Sequence, residues 1–325
     1  MPIKIPEDLP AHKILEKEGV LVIKDADAVR QDIRPLRIAI LNLMPEKIKT
    51  ETQLARVLGS SPLQIEVTLI APSTYEPKNT PREHMLDFYH PWTDVREQKF
   101  DGLIVTGAPV EKLDFAEVDY WEDLCDLFDW SLSNVHGLFN LCWGAQAALK
   151  HFYDIPKHRL PEKRFGIYDH TVLDHTSMLT RGLNDVVPVP TSRHTENLHE
   201  DITPFENLEI LMESEEAGVC LVHDRKLHHV HMLNHLEYDL RTLNEEYSRD
   251  VAKGEQASLP AYYFPDNDPA NTPLNTWRSS GHLLFGNWLN YLYQTTPYEL
   301  QDIGNGRQKS FDPKQPRSRP GERID

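Results

Sequence analysis

The stretch that decides the fold is residues 137–153, GLFNLCWGAQAALKHFY. Its first six residues form an apolar run typical of a buried strand, and its last ten, from Gly144, have the alanine-rich composition of a helix. The chain would therefore turn from strand to helix through Cys142, Trp143 and Gly144. Such a turn holds one side chain above the edge of a parallel sheet, where a helix N-terminus favours negative charge. The stretch predicts a nucleophile elbow with a reactive Cys142 thiolate.

The residues before this stretch alternate between apolar runs and helical patterns. Strands are predicted at 36–44, 65–72 and 100–109, helices at 47–61 and 120–132, and a polar connecting loop at 73–99. This alternation indicates an α/β fold with a doubly wound, mostly parallel sheet flanked by helices. In such folds the functional site lies at the carboxyl ends of the strands.

The second half of the chain is richer in short strands. They are predicted at 165–173, 185–192, 208–214, 218–224 and 228–234, and helices follow at 240–254 and 276–296. We interpret residues 1–35 as an extension that packs on the core, 36–300 as one catalytic domain, and 301–325 as a flexible tail with few apolar residues.

The composition excludes several classes of function. The 325 residues are 39% hydrophobic and 26% charged, which is typical of a globular protein. The 51 acidic and 34 basic residues give a net charge of −17, which repels nucleic acid and anionic lipid. Because no apolar run reaches 18 residues and no secretion signal opens the chain, a soluble cytoplasmic protein without nucleic-acid or membrane partners is expected.

Three cysteines are too few, and odd in number, for a disulfide framework. Cys125 falls in a predicted amphipathic helix and Cys220 in an apolar strand, so both are assigned to packing. An arbitrary cysteine such as Cys142 is more often a small buried hydrophobe than a nucleophile. The position of Cys142 before Gly144, at a turn between strand and helix, reverses that preference. The backbone amide of Trp143 would then face a developing oxyanion, and such an interaction is typically worth about 3–4 kcal/mol.

A thiolate nucleophile needs a base, and His235 is the candidate. Glu237 follows two residues later, and in extended chain these side chains share a face, so the carboxylate could orient the imidazole. A zinc site is the alternative, because four histidines cluster here: His228, His229, His231 and His235. The surrounding residues resemble a strand rather than the helix that such a site needs, and the Cys-His-Glu triad is preferred.

The order of these motifs resembles that of class I glutamine amidotransferases, whose elbow has the pattern G-x-C-x-G-x-Q. Asn140 stands here in place of the first glycine, which argues against an ordinary glutaminase. The resemblance is closer to homoserine O-acyltransferases of the amidotransferase-like type, and it covers nearly the whole chain. The segments that carry it include LNLMPEKIKTETQ, VTGAPVE, NLCWGAQAAL, KRFGIYDH, PTSRHTE, HHVHMLNHLEYD and NTWRSSGHLLFGNWLNYLYQ.

This resemblance implies a class I glutamine amidotransferase-like (flavodoxin-like) fold and a ping-pong acyl transfer. Cys142 would take an acetyl group from acetyl-CoA as a thioester, His235 would relay protons, and Glu237 would hold His235. L-Homoserine would then receive the group, giving O-acetyl-L-homoserine for methionine biosynthesis. No bound cofactor or metal is implied, acetyl-CoA being a co-substrate, and a homodimer is expected by resemblance.

The resemblance also implies substrate contacts at Lys163, Ser192 and Arg249, with Ser192 a further determinant of specificity. The guanidinium of Arg249 offers a bidentate fork for an amino-acid carboxylate, and Glu246 could meet the ammonium group. Lys47 follows the first strand and could line the same pocket, although an ordinary cation at a helix start explains it nearly as well.

The acyl group is expected to depend on Glu111, which follows the strand-end sequence TGAPV. In related enzymes glutamate at this place is associated with acetyl transfer and glycine with succinyl transfer. A carboxylate would also repel the terminal carboxylate of succinyl-CoA. Succinyl transfer remains the alternative, glutamine amidotransferase or cysteine hydrolase activity is more distant, and a catalytically idle binding protein is disfavoured by the intact triad.

Overall fold

Twelve strands in the described part of the chain form one mixed sheet. The computed structural model describes residues 3–4, 8–17, 22–23, 34–73, 80–254 and 258–304. The strands are β1 (Ile3–Lys4), β2 (Val22–Ile23), β3 (Leu36–Leu41), β4 (Ile65–Ala71), β5 (Tyr89–Pro91), β6 (Phe100–Val105), β7 (Val135–Leu141), β8 (His158–Val172), β9 (Val186–Glu196), β10 (Leu208–Ser214), β11 (Gly218–Asp224) and β12 (His229–Met232). Their order is β2-β1-β4-β3-β6-β7-β12-β11-β10-β8-β9, with β5 beside β4.

The sheet has a parallel half and an antiparallel half. β4, β3, β6, β7 and β12 are parallel neighbours, and β11, β10, β8 and β9 continue from β12 in antiparallel pairs. The chain moves from β3 to β4 on one side and later to β6 on the other. This reversal creates the crevice at the strand ends that doubly wound sheets use for ligands. The predicted mostly parallel, doubly wound sheet is confirmed.

The helices cover both faces of the sheet. They are α1 (Pro10–Lys17), α2 (Lys47–Leu58), α3 (Arg82–Phe88), α4 (Trp121–Asn134), α5 (Trp143–Tyr153), α6 (His199–Ile202), α7 (Thr242–Ala252) and α8 (Arg278–Thr295). Apolar residues of α1, α2 and α8 pack with Ile38 and Ile40 of β3, whereas those of α4 and α5 pack with Ala39 and Leu41. Because alternate residues of β3 enter different cores, the strand is apolar throughout. None of the described helices is long and apolar enough to span a bilayer.

The secondary structure differs from the expectation in two places. Residues 73–99 do not form a simple loop, since α3 and β5 lie within them. The short α3 is tied to α2 by His84, whose ring is 3.0 Å from a Glu51 carboxylate oxygen, and such a tertiary contact leaves no periodic signal. The strand expected at 228–234 ends at Met232, so His235 follows in a loop. Most of the expected tail, 305–325, lies outside the described residues.

Candidate active site

Cys142 occupies a strained turn between β7 and α5. Its backbone has φ 49° and ψ −117°, a region that residues with side chains rarely adopt. The turn is held by its own amide, which donates to the carbonyl oxygen of Met232 at 2.7 Å, and by its carbonyl, which accepts from Ala145 at 3.0 Å. The structure therefore contains the sharp strand-to-helix turn that the sequence predicts, with the Cys142 side chain partly exposed.

Gly144 is required by the closeness of the neighbouring strand. A Cβ at this position would lie 2.6 Å from the carbonyl oxygen of Thr106 and 2.8 Å from that of Val105, closer than real Cβ atoms approach. The side chain of Trp143 is also fixed, because its buried ring contacts the rings of Phe115 and Tyr120 at centroid distances of 6.0 and 6.1 Å. The backbone of the first turn of α5 is thus held rigidly beside the thiol.

His235 and Glu237 form a buried hydrogen-bonded pair. His235 Nδ1 lies 2.7 Å from Glu237 Oε1, and the residues are only 5% and 6% exposed. The expectation that extended chain aligns them was wrong, because both lie in the loop after β12, where a turn brings the carboxylate back to the ring. The loop is anchored by the His235 amide, which donates to the carbonyl oxygen of Pro190 at 2.9 Å.

The charge on His235 is set by opposing effects. Burial disfavours a charged imidazole, but the Glu237 carboxylate and Cys142 act in the other direction through charge and hydrogen bonds. Their combined effect raises the pKa of His235 well above the ordinary histidine value. The arrangement therefore favours an imidazolium that is hydrogen-bonded to Glu237 and interacts favourably with Cys142.

Replacing Glu237 with glutamine should lower the pKa of His235, because the substitution removes a negative charge that stabilises the imidazolium. The midpoint of the His235 C–H titration in NMR spectra should move to lower pH. Because the folded-state pKa is raised, the contribution of His235 to the free energy of unfolding is full below the ordinary histidine pKa. It declines as the pH rises through the folded-state pKa.

The control for this titration is Glu209→Gln, which removes a surface carboxylate paired with Arg225. This variant should leave the titration of His235 unchanged. An unchanged midpoint in Glu237→Gln would instead show that the carboxylate does not stabilise the imidazolium.

Tyr238 links the triad to a second group of side chains, a role that no sequence pattern indicates. Its ring stacks on that of His235 with centroids 4.1 Å apart and planes at 17°. Its hydroxyl donates to Glu246 Oε1 at 2.9 Å, and the hydroxyl of Ser192 donates to Glu246 Oε2 at 2.6 Å. Glu246 thus joins Ser192 to the ring that packs on the histidine.

Lys163 and Arg249 meet around Asp250 and Glu246. Lys163 Nζ is 3.0 Å from Asp250 Oδ2, 3.8 Å from Glu246 Oε2 and 4.1 Å from the centroid of the Phe165 ring. The exposed guanidinium of Arg249 lies 3.2 Å from Asp250 Oδ1. Burial would raise the pKa of Asp250, but these two cations lower it overall. The predicted substrate contacts therefore lie in one connected cluster, and Asp250 is its additional member.

Glu111 contacts β9 and approaches the elbow helix. Its Oε2 accepts hydrogen bonds from the amide of His194 at 2.8 Å and the hydroxyl of Thr195 at 3.3 Å. The same Thr195 hydroxyl lies 2.9 Å from Gln146 Oε1, so its one proton is shared between the two acceptors, and Gln146 lies one helical turn after Cys142. Burial raises the pKa of Glu111, while these hydrogen bonds oppose the shift. Glu111 is therefore held near the elbow by contacts that only the folded chain provides.

Arg193 is a buried cation that no sequence pattern marks as part of the site. It is 2% exposed, and its guanidinium donates to the carbonyl oxygens of Ala217 and, at 3.4 Å, Val219. Burial lowers its pKa, and an electrostatic interaction with Cys142 opposes this effect. The positively charged guanidinium of Arg193, on β9, therefore acts electrostatically on the Cys142 thiol.

Lys47 is buried at a groove that Glu237 also lines, in surroundings different from those of Lys163 and Arg249. It is 1% exposed, donates to the carbonyl oxygen of Asn42, and has its Nζ 5.4 Å from the centroid of the Tyr89 ring. Burial lowers the pKa of Lys47 to about 8, although the charge of Glu51 opposes the shift. The residue lines a groove that also includes Glu237, so it is not an ordinary solvated cation.

The remaining cysteines and histidines have other environments. Burial raises the pKa of Cys220 to about 12, and burial with neighbouring carboxylates raises that of Cys125 to about 11. His228 is hydrogen-bonded to the hydroxyl of Tyr291. Within the described ranges, no group of three or more histidine, cysteine, aspartate or glutamate side chains is arranged to hold a metal ion. Asn140 is buried, with its side chain 3.4 Å from the ring of His231.

Solved structures share the fold at low sequence identity. A glutamine amidotransferase from Thermotoga maritima superposes with a TM-score of 0.53 and 13% identity, covering 81% of this chain and all of that one. A glutamine amidotransferase from Methylobacillus flagellatus gives a TM-score of 0.50 and 13% identity over 80% of this chain and 95% of that one. The fold is therefore class I glutamine amidotransferase-like.

Similarity at the sequence level is much stronger. A curated protein of Sinorhizobium fredii, named homoserine O-acetyltransferase, is 54% identical over 306 residues, which is 94% of this chain and all of the relative. A protein of the same name from Allorhizobium ampelinum is 55% identical over 307 residues, or 94% of this chain and 99% of the relative. The sequence model of a family described as homoserine O-succinyltransferase matches residues 2–298. Because that match covers the sheet, its helices and the Cys142 elbow alike, the chain belongs to the homoserine O-succinyltransferase family.

Proposed function

We propose that this enzyme transfers an acetyl group from acetyl-CoA to the hydroxyl of L-homoserine through a thioester on Cys142. The observation that carries the proposal is that Cys142, at a strand-to-helix turn, interacts electrostatically with His235, which is itself hydrogen-bonded to Glu237. The family and the names of the relatives support homoserine as the acceptor. The product would be O-acetyl-L-homoserine, a precursor in methionine biosynthesis.

The first half-reaction forms the acyl-enzyme. The Cys142 thiolate attacks the thioester carbonyl of acetyl-CoA, and the backbone amide of Trp143 donates to the oxygen that becomes negatively charged. When the intermediate collapses, the carbon–sulfur bond to CoA breaks and the His235 imidazolium protonates the departing thiolate. Free CoA leaves, the acetyl group remains on Cys142, and His235 is neutral and ready to act as a base.

In the second half-reaction the His235 imidazole accepts a proton, whereas in the first it donates one. Neutral His235 removes the hydroxyl proton of homoserine as the oxygen attacks the Cys142 thioester. Collapse of this intermediate releases the acetyl ester and restores the thiolate beside the imidazolium. Glu237 stabilises the charged ring at both stages, and Tyr238 fixes its orientation by stacking.

The cluster around Glu246 is suited to an amino-acid substrate. The Glu246 carboxylate would receive the ammonium group, and the exposed guanidinium of Arg249 would receive the carboxylate. Ser192 and Lys163 contact Glu246 and would position the chain of homoserine between these ends. Since Tyr238 joins Glu246 to His235, a substrate held in this way would lie near the base.

Glu111 favours an uncharged acyl group in this proposal. The contacts of Glu111 with His194 and Thr195 hold its carboxylate in a partly buried position. A second carboxylate, at the end of a succinyl group, would be repelled there, because like charges interact strongly where solvent is reduced. The names of the curated relatives agree with acetyl transfer, whereas the description of the family names succinyl transfer.

Replacing Glu111 with glycine should shift donor preference towards succinyl-CoA. We expect the ratio of kcat/KM for acetyl-CoA to that for succinyl-CoA to fall by about 10- to 100-fold, which corresponds to about 1.4–2.7 kcal/mol. Glu111→Gln separates charge from size, since it removes the charge and keeps the volume, and part of the shift should remain in this variant. A wild-type enzyme that already prefers succinyl-CoA would refute the charge argument.

Intact mass spectrometry tests the proposed intermediate. Enzyme mixed with acetyl-CoA in the absence of homoserine should gain one acetyl group, and peptide mapping should place it on Cys142 rather than on Cys125 or Cys220. Addition of homoserine should remove the group and yield the O-acetyl ester. Turnover without an adduct on Cys142 would exclude the thioester route, and glutamine hydrolysis without acyl-CoA turnover would favour an amidotransferase.

A further inference from the structure

A large groove opens beside the triad and is not used by the proposed chemistry. Its volume is about 1000 Å³. It lies between α2, the loop after His235, and the start of α8, and we call it the α2–α8 groove. Its lining includes Lys47, Glu237, Tyr238, Arg241, Arg278 and His282. This volume is at the upper end for small-molecule sites and exceeds what an amino acid requires.

The groove does not share the large acidic excess of the rest of the chain. Five lysine and arginine residues and four carboxylates line it, whereas the whole chain has 34 basic and 51 acidic residues. The four carboxylates are Glu46, Glu237, Asp239 and Glu245. In a protein with a net charge of −17, a surface on which cations slightly outnumber carboxylates is a place where an anionic ligand is not repelled.

Two of these cations are available to a ligand. Lys49 pairs with Glu245, and Arg56 pairs with Asp239. Both Arg241 and Arg278 are exposed. Within the described part of the chain, neither of them has a carboxylate partner. Guanidinium groups bind phosphate oxygens through paired hydrogen bonds, so two unpaired arginines on one groove suit a phosphorylated ligand.

The pKa of His282 is lowered by the positive charges at this end of the groove. Burial lowers its pKa, and Arg278 and Arg56 lower it further. Both guanidinium groups therefore act on this imidazole, and His282 is kept neutral beside them. A neutral imidazole can share hydrogen bonds with a ligand without adding a further charge.

The groove also reaches the triad. Glu237 and Tyr238 form part of its lining, and the ring of Tyr238 stacks on that of His235. A ligand that occupies the groove would thus approach the reacting histidine from the side of the Glu237 loop. An elongated molecule with an anionic end among the arginines could extend towards Cys142 at its other end.

We propose that the α2–α8 groove binds the phosphorylated nucleotide end of the acyl-CoA donor, with Arg241 and Arg278 contacting its phosphates. This inference rests on the proposed function, because it assumes a CoA thioester as donor. The pantetheine arm would pass Tyr238 on its way to Cys142. Homoserine would be held separately, in the cluster around Glu246.

Calorimetric titration of the full chain tests this assignment without requiring turnover. The probes are CoA, its nucleotide fragment adenosine 3′-phosphate 5′-diphosphate, and inorganic phosphate. Arg278→Gln and Arg241→Gln should each raise the Kd for CoA and for the fragment by about 10-fold. Arg181→Gln, an exposed arginine outside the groove, makes the same charge change and should leave both values unaltered.

A phosphate-free donor gives a second, independent readout. Arg278→Gln should raise KM for acetyl-CoA by about 10-fold and leave the rate with S-acetyl-N-acetylcysteamine unchanged. Equal affinity of wild type and variants for CoA, or equal loss with both donors, would overturn the proposal. Competition by inorganic phosphate at equal concentration would reduce the groove to a simple anion site and would also overturn it. Arginine-dependent CoA binding without acyl transfer would preserve the groove assignment and refute the proposed function instead.

Discussion

Cys142→Ala is expected to lower kcat by about 10⁴-fold or more, because the proposed reaction has no nucleophile without the sulfur. Alanine keeps the Cβ, so the change does not add bulk at the turn where φ is 49°. The variant should also gain no acetyl group from acetyl-CoA. Steady-state rates of CoA release with homoserine present measure the effect, and circular dichroism establishes that the variant is folded.

Cys125→Ala is the matched control, since it removes another partly exposed thiol from a helix away from the elbow. Its kcat should remain within about twofold of wild type, because surface substitutions away from a site have small effects. If Cys142→Ala retained a tenth of wild-type activity, homoserine would have to attack the CoA thioester directly, and the thioester intermediate would be wrong.

His235→Asn is expected to lower kcat by about 10⁴-fold, a loss at the upper end of what general acid–base catalysis contributes. Asparagine can still hydrogen-bond to Glu237, but it neither accepts the homoserine proton nor carries the positive charge that stabilises a thiolate. Alkylation of Cys142 by iodoacetamide at pH 7 should therefore slow as well, because the neutral thiol is a poor nucleophile.

The matched control for His235→Asn is His199→Asn. His199 also pairs with a carboxylate, since its Nδ1 lies 2.9 Å from Glu213 Oε2, but the pair is on the surface. Neither kcat nor the alkylation rate should change. Normal alkylation of Cys142 in His235→Asn, together with lost turnover, would show that the histidine is a proton carrier only and does not activate the sulfur.

Much of the fold could be predicted because burial on both faces leaves a local pattern. The strand expected at 36–44 is Leu36–Leu41, and the helix expected at 276–296 is Arg278–Thr295. Continuous apolar runs and broad apolar stripes are properties of neighbouring residues, so the sequence displays them directly. Segment 82–91 was missed because its short helix and strand depend on contacts with α2 and β4.

From the residue pattern alone, without the family resemblance, the candidate site was predictable only where its residues are neighbours in the chain. Cys142 and Gly144 form one turn, and His235 and Glu237 are two residues apart, so motif spacing was sufficient to select them. Their geometry was less predictable, since the second pair is brought together by a turn rather than by extended chain. Tyr238 follows Glu237 directly, yet nothing in the sequence indicates that its ring stacks on His235.

By itself the sequence determined the alternation of strands and helices, the elbow that presents one sulfur, and the histidine and carboxylate beside which it could act. Only the tertiary structure decided that Ser192 reaches Glu246 across 54 positions, that Lys163 reaches Asp250 across 87, and that arginines from two helix starts share one groove. The physical reason is that backbone conformation and burial patterns are set by near neighbours. Hydrogen bonds between distant residues, and the charge gathered along a groove, exist only after the helices have packed on the sheet.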